Sequence, residues 1–358
     1  MSQHPDLSVQ LHGEQQEIAI VTLTRPAKRN ALNDGLILAI RDAFQNLRTA
    51  ALWWLSQNRV EPMLLLCVNV WRYWSVRGNA QPWVALLHRA LDSAEGIEPT
   101  LHSAALRELG SLSIEVGNTR TARNLYLHSL EIERTVGNMK GIVRALGNLG
   151  MVAVMQGQFS EATALLDEAA TEAHRIGDSE VEIVARFNMA LGLRDQGLLD
   201  RAEETIAQVV ALQEKLHDEY GIAWSWHTLS RLAYDRGNQG LAWTLASNAL
   251  HRFKEAHDAH GAARAEEVLA SVEADRGNCD AATERFERAL QTHEARRDLP
   301  CVTECLEGLA AVQAQRGDLA EALASVERAL ALREMTGCPI PPIDRPRIEA
   351  LLRSANQS

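Results

Sequence analysis

Few residues of this chain have types and spacings that could do chemistry, and each has a plainer reading beside it. Cys301 and Cys305 stand four apart, so on a helix they share a face where two thiols could grip a metal. With no histidine or second thiol pair read as nearby, and five cysteines forming no CxxC pair, they are expected to fill core space in a reducing compartment. No metal ligand is assigned. His257 and His260 form an HxxH pair flanking a loop, where solvation is the expectation. No nucleophile, histidine and carboxylate can be assembled into a triad from spacing, acidic pairs fall on polar helix faces, and no GxxxxGK[ST] phosphate loop occurs. The least bland cluster is Trp224, Trp226, His227 and Arg231, because an aromatic beside a cation is the composition of a binding hot spot. The chain is therefore expected not to be an enzyme.

The elements that would hold these side chains are written in a period. Gly117, Gly157, Gly197, Gly237, Gly277 and Gly317 recur every 40 residues, and five residues after them come Ala122, Ala162, Ala202, Ala242, Ala282 and Ala322. A second punctuation of the same period runs through Gly137, Gly177, "HDEYG" after Leu216, "HDAHG" after Ala256, "RRDLP" after Ala295, and Gly337. Between the marks lie segments of about 17 residues with helical periodicity. In "FSEATALLDEAATEAHRIG", Phe159, Ala162, Leu165, Leu166 and Ala169 form one stripe, while Ser160, Glu161 and Asp167 lie opposite. Each unit reads as helix A, tight turn, helix B, loop. The glycine after helix A allows positive φ or close approach. The alanine is where helix B presses on helix A, and a bulky side chain there would cost roughly 1–3 kcal/mol.

These residues resemble the tetratricopeptide repeat. In "RALGNLGMVAVMQGQFSEATALLDEAA", Asn148, Leu149, Gly150, Ala153, Gly157, Ala162, Leu166 and Ala169 stand where that family's helix-pair signature stands. The unit is longer than the family's usual length of about 34 residues. This longer version resembles the C-terminal sensor arrays of bacterial multidomain regulators, which carry an NTPase module. "NLRTAALWWLSQNR" and "VNVWRYWSVRGNAQPWVALLHRAL" resemble the helical lead-in to such arrays, with Gly78 as a first, less regular turn glycine. The resemblance spans residues 47 to 338 and implies a solenoid whose concave surface is lined mainly by helix A. By register that lining includes Arg107, Arg144, Asn148, Asn188, Arg194, Trp224, His227, Arg231 and Arg264. Several arginines on a chain of formal charge −11 suggest a groove for an acidic or C-terminal peptide. Trp226 and the tryptophans at 53, 54, 71, 74 and 83 are expected in the core.

The start differs. Leu7 to Leu11 and Ile18 to Leu23 alternate apolar and polar residues around "HGEQQ", the pattern of a hairpin. Pro26 ends the second strand, and Asn33 or Asp34 can cap a helix carrying Leu36, Ile37, Ile40, Phe44 and Leu47. Strand, "RPAKRNALN" and amphipathic helix resemble the N-terminus of the crotonase superfamily of enoyl-CoA hydratases and isomerases. The resemblance implies that Ala27, Lys28, Arg29 and Ala31 are counterparts of a coenzyme A loop, here vestigial. It stops near residue 47, and no oxyanion hole or acid–base carboxylate can be assigned.

The reading is an all-α tetratricopeptide (TPR) solenoid with a small N-terminal β-hairpin and helix appendage. Its parts are a crotonase-like fragment (1–47), an irregular lead-in (48–98), six repeats (99–338) and a C-terminal tail (339–358). The expected function is a non-catalytic protein-interaction or sensing scaffold, with a protein or peptide in the groove and no cofactor. The alternative is a crotonase-type protein that binds acyl-CoA. The acidic balance offers no basic footprint for nucleic acid or anionic lipid. The N-terminus has no signal-peptide pattern, and Met63 to Val70 is far shorter than the roughly 20 residues of a membrane helix, so a cytoplasmic protein is expected.

Overall fold

The computed structural model describes residues 7–12, 18–23, 49, 51–77, 81–94, 96–115 and 117–355. Strands β1 (Leu7–His12) and β2 (Ile18–Leu23) pair antiparallel, with Leu7 opposite Leu23 and His12 opposite Ile18. The helix expected after Asn33 and the loop residues Ala27, Lys28, Arg29 and Ala31 lie outside the described residues. A short helical stretch at 51–56 then precedes α1 (Val60–Arg77) and α2 (Gln81–Asp92). Trp54, Met63, Leu64, Trp83 and Leu87 are buried together there, whereas Trp53 is exposed. Gly78 and the side chains of Trp71 and Trp74 lie outside the described residues.

Helix pairs follow without interruption. They are α3 (Pro99–Glu115) with α4 (Thr119–Val136), α5 (Met139–Met155) with α6 (Phe159–Ile176), and α7 (Ser179–Asp195) with α8 (Leu199–Lys215). Next come α9 (Glu219–Asp235) with α10 (Gln239–Glu255), α11 (Ala259–Asp275) with α12 (Cys279–Arg296), and α13 (Leu299–Arg316) with α14 (Leu319–Thr336). The punctuation works by a two-residue device. At the end of α4, Gly137 is left-handed (φ 73°), its N–H donates to the Arg134 carbonyl at 3.3 Å, and the Asn138 N–H donates to the Glu133 carbonyl at 3.0 Å. Asn138 then caps α5 by accepting from the Gly141 N–H. Three repeats reach the same left-handed state without glycine: His217 (φ 53°), His257 (54°) and Arg297 (58°), each followed by a capping aspartate, Asp218, Asp258 or Asp298.

The periodic alanines Ala122, Ala162, Ala202, Ala242, Ala282 and Ala322 are all buried, as pressure points between paired helices must be. Gly150 serves the same end from helix A, since a Cβ there would lie 2.6 Å from Leu166 Cδ2. The helix-A elements also touch one another in succession, α3 with α5, α5 with α7, α7 with α9, α9 with α11 and α11 with α13, so they form the inner wall. The coil closes on itself. Thr119 Oγ1 donates to the Thr336 carbonyl at 3.2 Å, and the Ile343 N–H donates to the Asp195 carbonyl at 3.3 Å. Pro339 lies over Gly157, where an added Cβ would come 2.8 Å from its Cγ. Residues past the last repeat end in α15 (Arg345–Ala355), which buries Ile348 against Ala310 and Val326.

Candidate functional site: the inner groove

Closure of the coil forms a partly open cavity of about 210 Å³ on the helix-A wall. Its lining comes from α5 (Val154, Met155), α7 (Leu191, Arg194, Asp195), α9 (Arg231), α11 (Arg264) and α13 (Pro300, Thr303, Glu304). Arg333, Thr336, Pro339, Pro341 and Asp344 complete it from the returning C-terminal segment. Periodicity positions these side chains: Leu191 and Arg231 occupy one repeat position in successive units, and Arg264, Glu304 and Asp344 another, each step being 40 residues.

The arginines of the groove are engaged by the chain's own carboxylates. Glu304 Oε2 accepts from Arg231 at 2.7 Å and from Arg264 at 2.8 Å. Arg264 also donates to Glu267 at 2.8 Å. Arg194 makes a two-pronged contact with Asp235 at 2.7 and 3.2 Å, donates to Asp195 at 3.0 Å and stands 3.8 Å from Asp344. Burial alone would push the Glu304 carboxyl up, but Arg231 and Arg264 outweigh it and hold it well below the usual carboxylate range. Asp195 goes the other way: burial raises it despite the neighbouring Arg194. The groove is thus a mixed surface of paired charges, apolar side chains and prolines.

The remaining residues of the expected lining are placed as follows. Arg107 is buried between α3 and α4, where it pairs with Glu133 at 3.0 Å. Arg144 is exposed and Asn148 and Asn188 are half-buried, none with a side-chain hydrogen bond among the described residues. Trp224 packs edge-on against Phe253 (centroids 4.9 Å apart) and beside His260 (5.6 Å). Trp226 is half-buried. His227 is buried with no partner for Nε2, and burial, reinforced by Arg264 and Arg231, holds its imidazole well below the ordinary histidine range. Sequence reasoning missed the carboxylates, Glu304, Asp235, Asp344 and Glu267. The available signal was Glu304 itself, an acid standing one period after Arg264.

Residues 261–335 match a family profile described as tetratricopeptide repeat, and residues 142–176 match a second of the same description. These segments are tetratricopeptide repeats. The Rap conjugation gene regulator of plasmid pLS20, in complex with the Phr* peptide, is similar in fold: TM-score 0.65, 17% identity, covering 78% of this chain and 74% of that one. So is aspartyl phosphate phosphatase F from Bacillus subtilis, with TM-score 0.63, 12% identity and coverage of 85% and 76%. A Signal Transduction ATPase with Numerous Domains from Pyrococcus horikoshii, carrying a tetratricopeptide repeat sensor, superposes with TM-score 0.54 at 14% identity over 88% of this chain. The chain spans about half of that protein's length, 47%. No curated protein sequence matches the chain significantly. The TPR repeats and solenoid fold expected from the sequence are what these matches and the helix pairs show. The crotonase resemblance of the first residues finds no support among them.

Proposed function

We propose that the chain is a cytoplasmic, non-catalytic interaction or sensing scaffold that captures a peptide segment of a partner protein in its inner groove. The observation that carries this reading is the partly open cavity on the helix-A wall, where apolar side chains stand beside arginines already held by Glu304, Asp235 and Asp344. Such arginines bind without first being ordered, which lowers the entropic cost of capture. A carboxylate of the incoming peptide shares a guanidinium with Glu304 or displaces Asp344, so the ligand carries at least one acidic group beside apolar ones. The fold likeness to a regulator crystallised with a peptide, and to an ATPase whose repeats form a sensor, supports the same reading. A signalling role, nucleic acid as a non-ligand and acyl-CoA as a non-ligand belong to this proposal.

The test is a random peptide array probed with the labelled full chain and with Arg231→Ala. Loss of a charge-assisted contact costs about 1.5–3 kcal/mol, so signal from groove ligands falls at least about tenfold while the helical circular dichroism stays unchanged. Peptides retained equally by both proteins would place binding elsewhere, and an array with no retained peptide would remove the groove as a peptide site. Controls with acyl-CoA and duplex DNA are expected to give no saturable binding.

A further inference from the structure

A second cluster lies where the fifth and sixth repeats meet. His260 stands in the first turn of α11, His293 in the last turn of α12, Asp298 caps α13, and Cys301 opens it. One donor atom from each of these four lies within 4.8 Å of one from every other. The two imidazoles stand edge to face at 5.4 Å between centroids. His260 Nδ1 and His293 Nδ1 are both buried and both lack a hydrogen-bond partner, and His293 is fully buried. Buried imidazole nitrogens without partners are costly, and two facing one carboxylate and one thiol call for an explanation.

His293 is set up by its other nitrogen. Nε2 lies 2.7 Å from Glu267 Oε1, so a proton on Nε2 satisfies that carboxylate and leaves the lone pair on Nδ1. A carboxylate behind a histidine in this way fixes the tautomer and ring orientation of a metal ligand. Asp298 is likewise half committed: Oδ1 accepts the Cys301 N–H at 3.3 Å, while Oδ2 stands 3.7 Å from His260 Nδ1, too far for a hydrogen bond. His260 and Asp298 remain partly exposed, which leaves an entry path.

The arrangement is peculiar to this repeat junction. One period earlier, the places of His293 and Cys301 are taken by Phe253 and Gly261, and two periods earlier by Gln213 and Gly221. In each case the earlier glycine leaves no room for a side chain, since an added Cβ would come within 2.5 Å of Phe253 Cδ1 or 2.6 Å of Gln213 Nε2. A cysteine therefore faces residue 293 only here. The expectation that no histidine stands near Cys301 and Cys305 fails for both, since His293 reaches each. Cys305 is nonetheless core filler, buried among Ala263 and Ala289, whereas Cys301 also faces His260 and Asp298.

We propose that His260, His293, Asp298 and Cys301 bind a divalent transition metal of zinc type, clipping α11, α12 and the start of α13 together. Two imidazoles, a carboxylate and a thiolate are a tetrahedral donor set suited to Zn²⁺. Metal–ligand bonds of about 2.0–2.3 Å separate ligand atoms by roughly 3.3–3.8 Å, so donor atoms now within 4.8 Å of one another close in by up to about 1.5 Å. Burial keeps the free Cys301 thiol protonated, and binding forms the metal–sulfur bond as that proton leaves to the buffer. Glu267 is a positioning residue behind His293. The trio of Glu267, His293 and Cys305 also places donor atoms within 4.8 Å, but Glu267 is already held by Arg264 and the trio is closed to solvent.

The test is titration of Co²⁺, then competing Zn²⁺, into the reduced, chelator-treated full chain. The expected result is one equivalent bound with the visible bands of tetrahedral cobalt and a thiolate charge-transfer band in the near ultraviolet. Cys301→Ser abolishes the charge-transfer band, Cys305→Ser keeps it, and Glu267→Gln weakens affinity about 10- to 100-fold with the band intact. Helical circular dichroism of each variant separates lost ligation from lost folding, and the wild-type spectrum reports thiolate ligation without any variant. No saturable binding, or binding without a thiolate band, overturns the site. A band lost in Cys305→Ser and retained in Cys301→Ser overturns it in favour of the buried trio.

Discussion

Replacing His217, His257 and Arg297 with glycine should stabilise the chain, because each holds a left-handed backbone that its Cβ opposes. The three sit at φ 53°, 54° and 58° in the positions where other repeats carry Gly137, Gly177 and Gly337. Their side chains are exposed and make no hydrogen bond or ion pair among the described residues, so substitution changes the backbone term almost alone. The left-handed conformation costs a residue with a Cβ roughly 1–2 kcal/mol. Glycine gives back roughly 0.5–1 kcal/mol through the greater freedom of its unfolded chain. The net is about 0.5–1 kcal/mol per site. The sites share no partners, so the triple variant should gain about 2 kcal/mol. With a urea slope of about 3 kcal/mol/M, the midpoint followed at a helical wavelength rises by roughly 0.7 M. The converse change, Gly277→His, tests the same reasoning where nothing lies within 4 Å of an added Cβ, and should lower the midpoint through strain alone. A triple variant whose midpoint is unchanged or lower, with native helix content, would refute the idea that these turns store strain.

Other expectations follow from particular contacts. Ala162→Leu and Gly150→Ala each force a side chain into the seam between α5 and α6, where Ala162 is buried and Gly150 abuts Leu166, and should each cost about 1–3 kcal/mol in urea titration. An unchanged midpoint would mean the helix pair can splay freely. His227 has its folded pKa lowered by burial, Arg264 and Arg231. The unfolded chain therefore binds the extra proton, so this residue's contribution is present above the ordinary histidine pKa and is lost as pH falls below it. His227→Phe should flatten the loss of stability between pH 7 and 5, and an identical pH slope in the variant would remove His227 as its source.

The repeats were legible in the sequence because their devices are local. A left-handed residue followed by an asparagine or aspartate cap, and an alanine five residues after a glycine, are decided within one turn of helix, and the structure places them at those numbers. The strands of the hairpin follow from alternation in the same way. Partnering across repeats was not legible. Arg231 meets Glu304 across 73 residues, and Arg194 approaches Asp344 only because the coil returns on itself. Arg107 shows the limit of register: a helical wheel places it toward the groove, yet it lies buried in the seam with α4, paired with Glu133. The metal-type cluster was hidden for a like reason. His260 and Cys301 stand 41 residues apart in sequence, and only stacking of one repeat on the next brings them into reach.

The junction at Thr119 and Thr336 gives the molecule a mechanical property that an open spiral lacks. A coil whose two ends are latched resists a change of bore, and any change in pitch between two turns must appear as slip at the latch. The fastening is light: a hydroxyl on a carbonyl at 3.2 Å, an amide on a carbonyl at 3.3 Å and an ion pair at 3.8 Å. The stiff, alanine-packed pairs transmit displacement, while the latch absorbs it. An occupant that widens the bore therefore acts like a wedge in a split ring: the movement is gathered at one gap, a place where a third protein could read it.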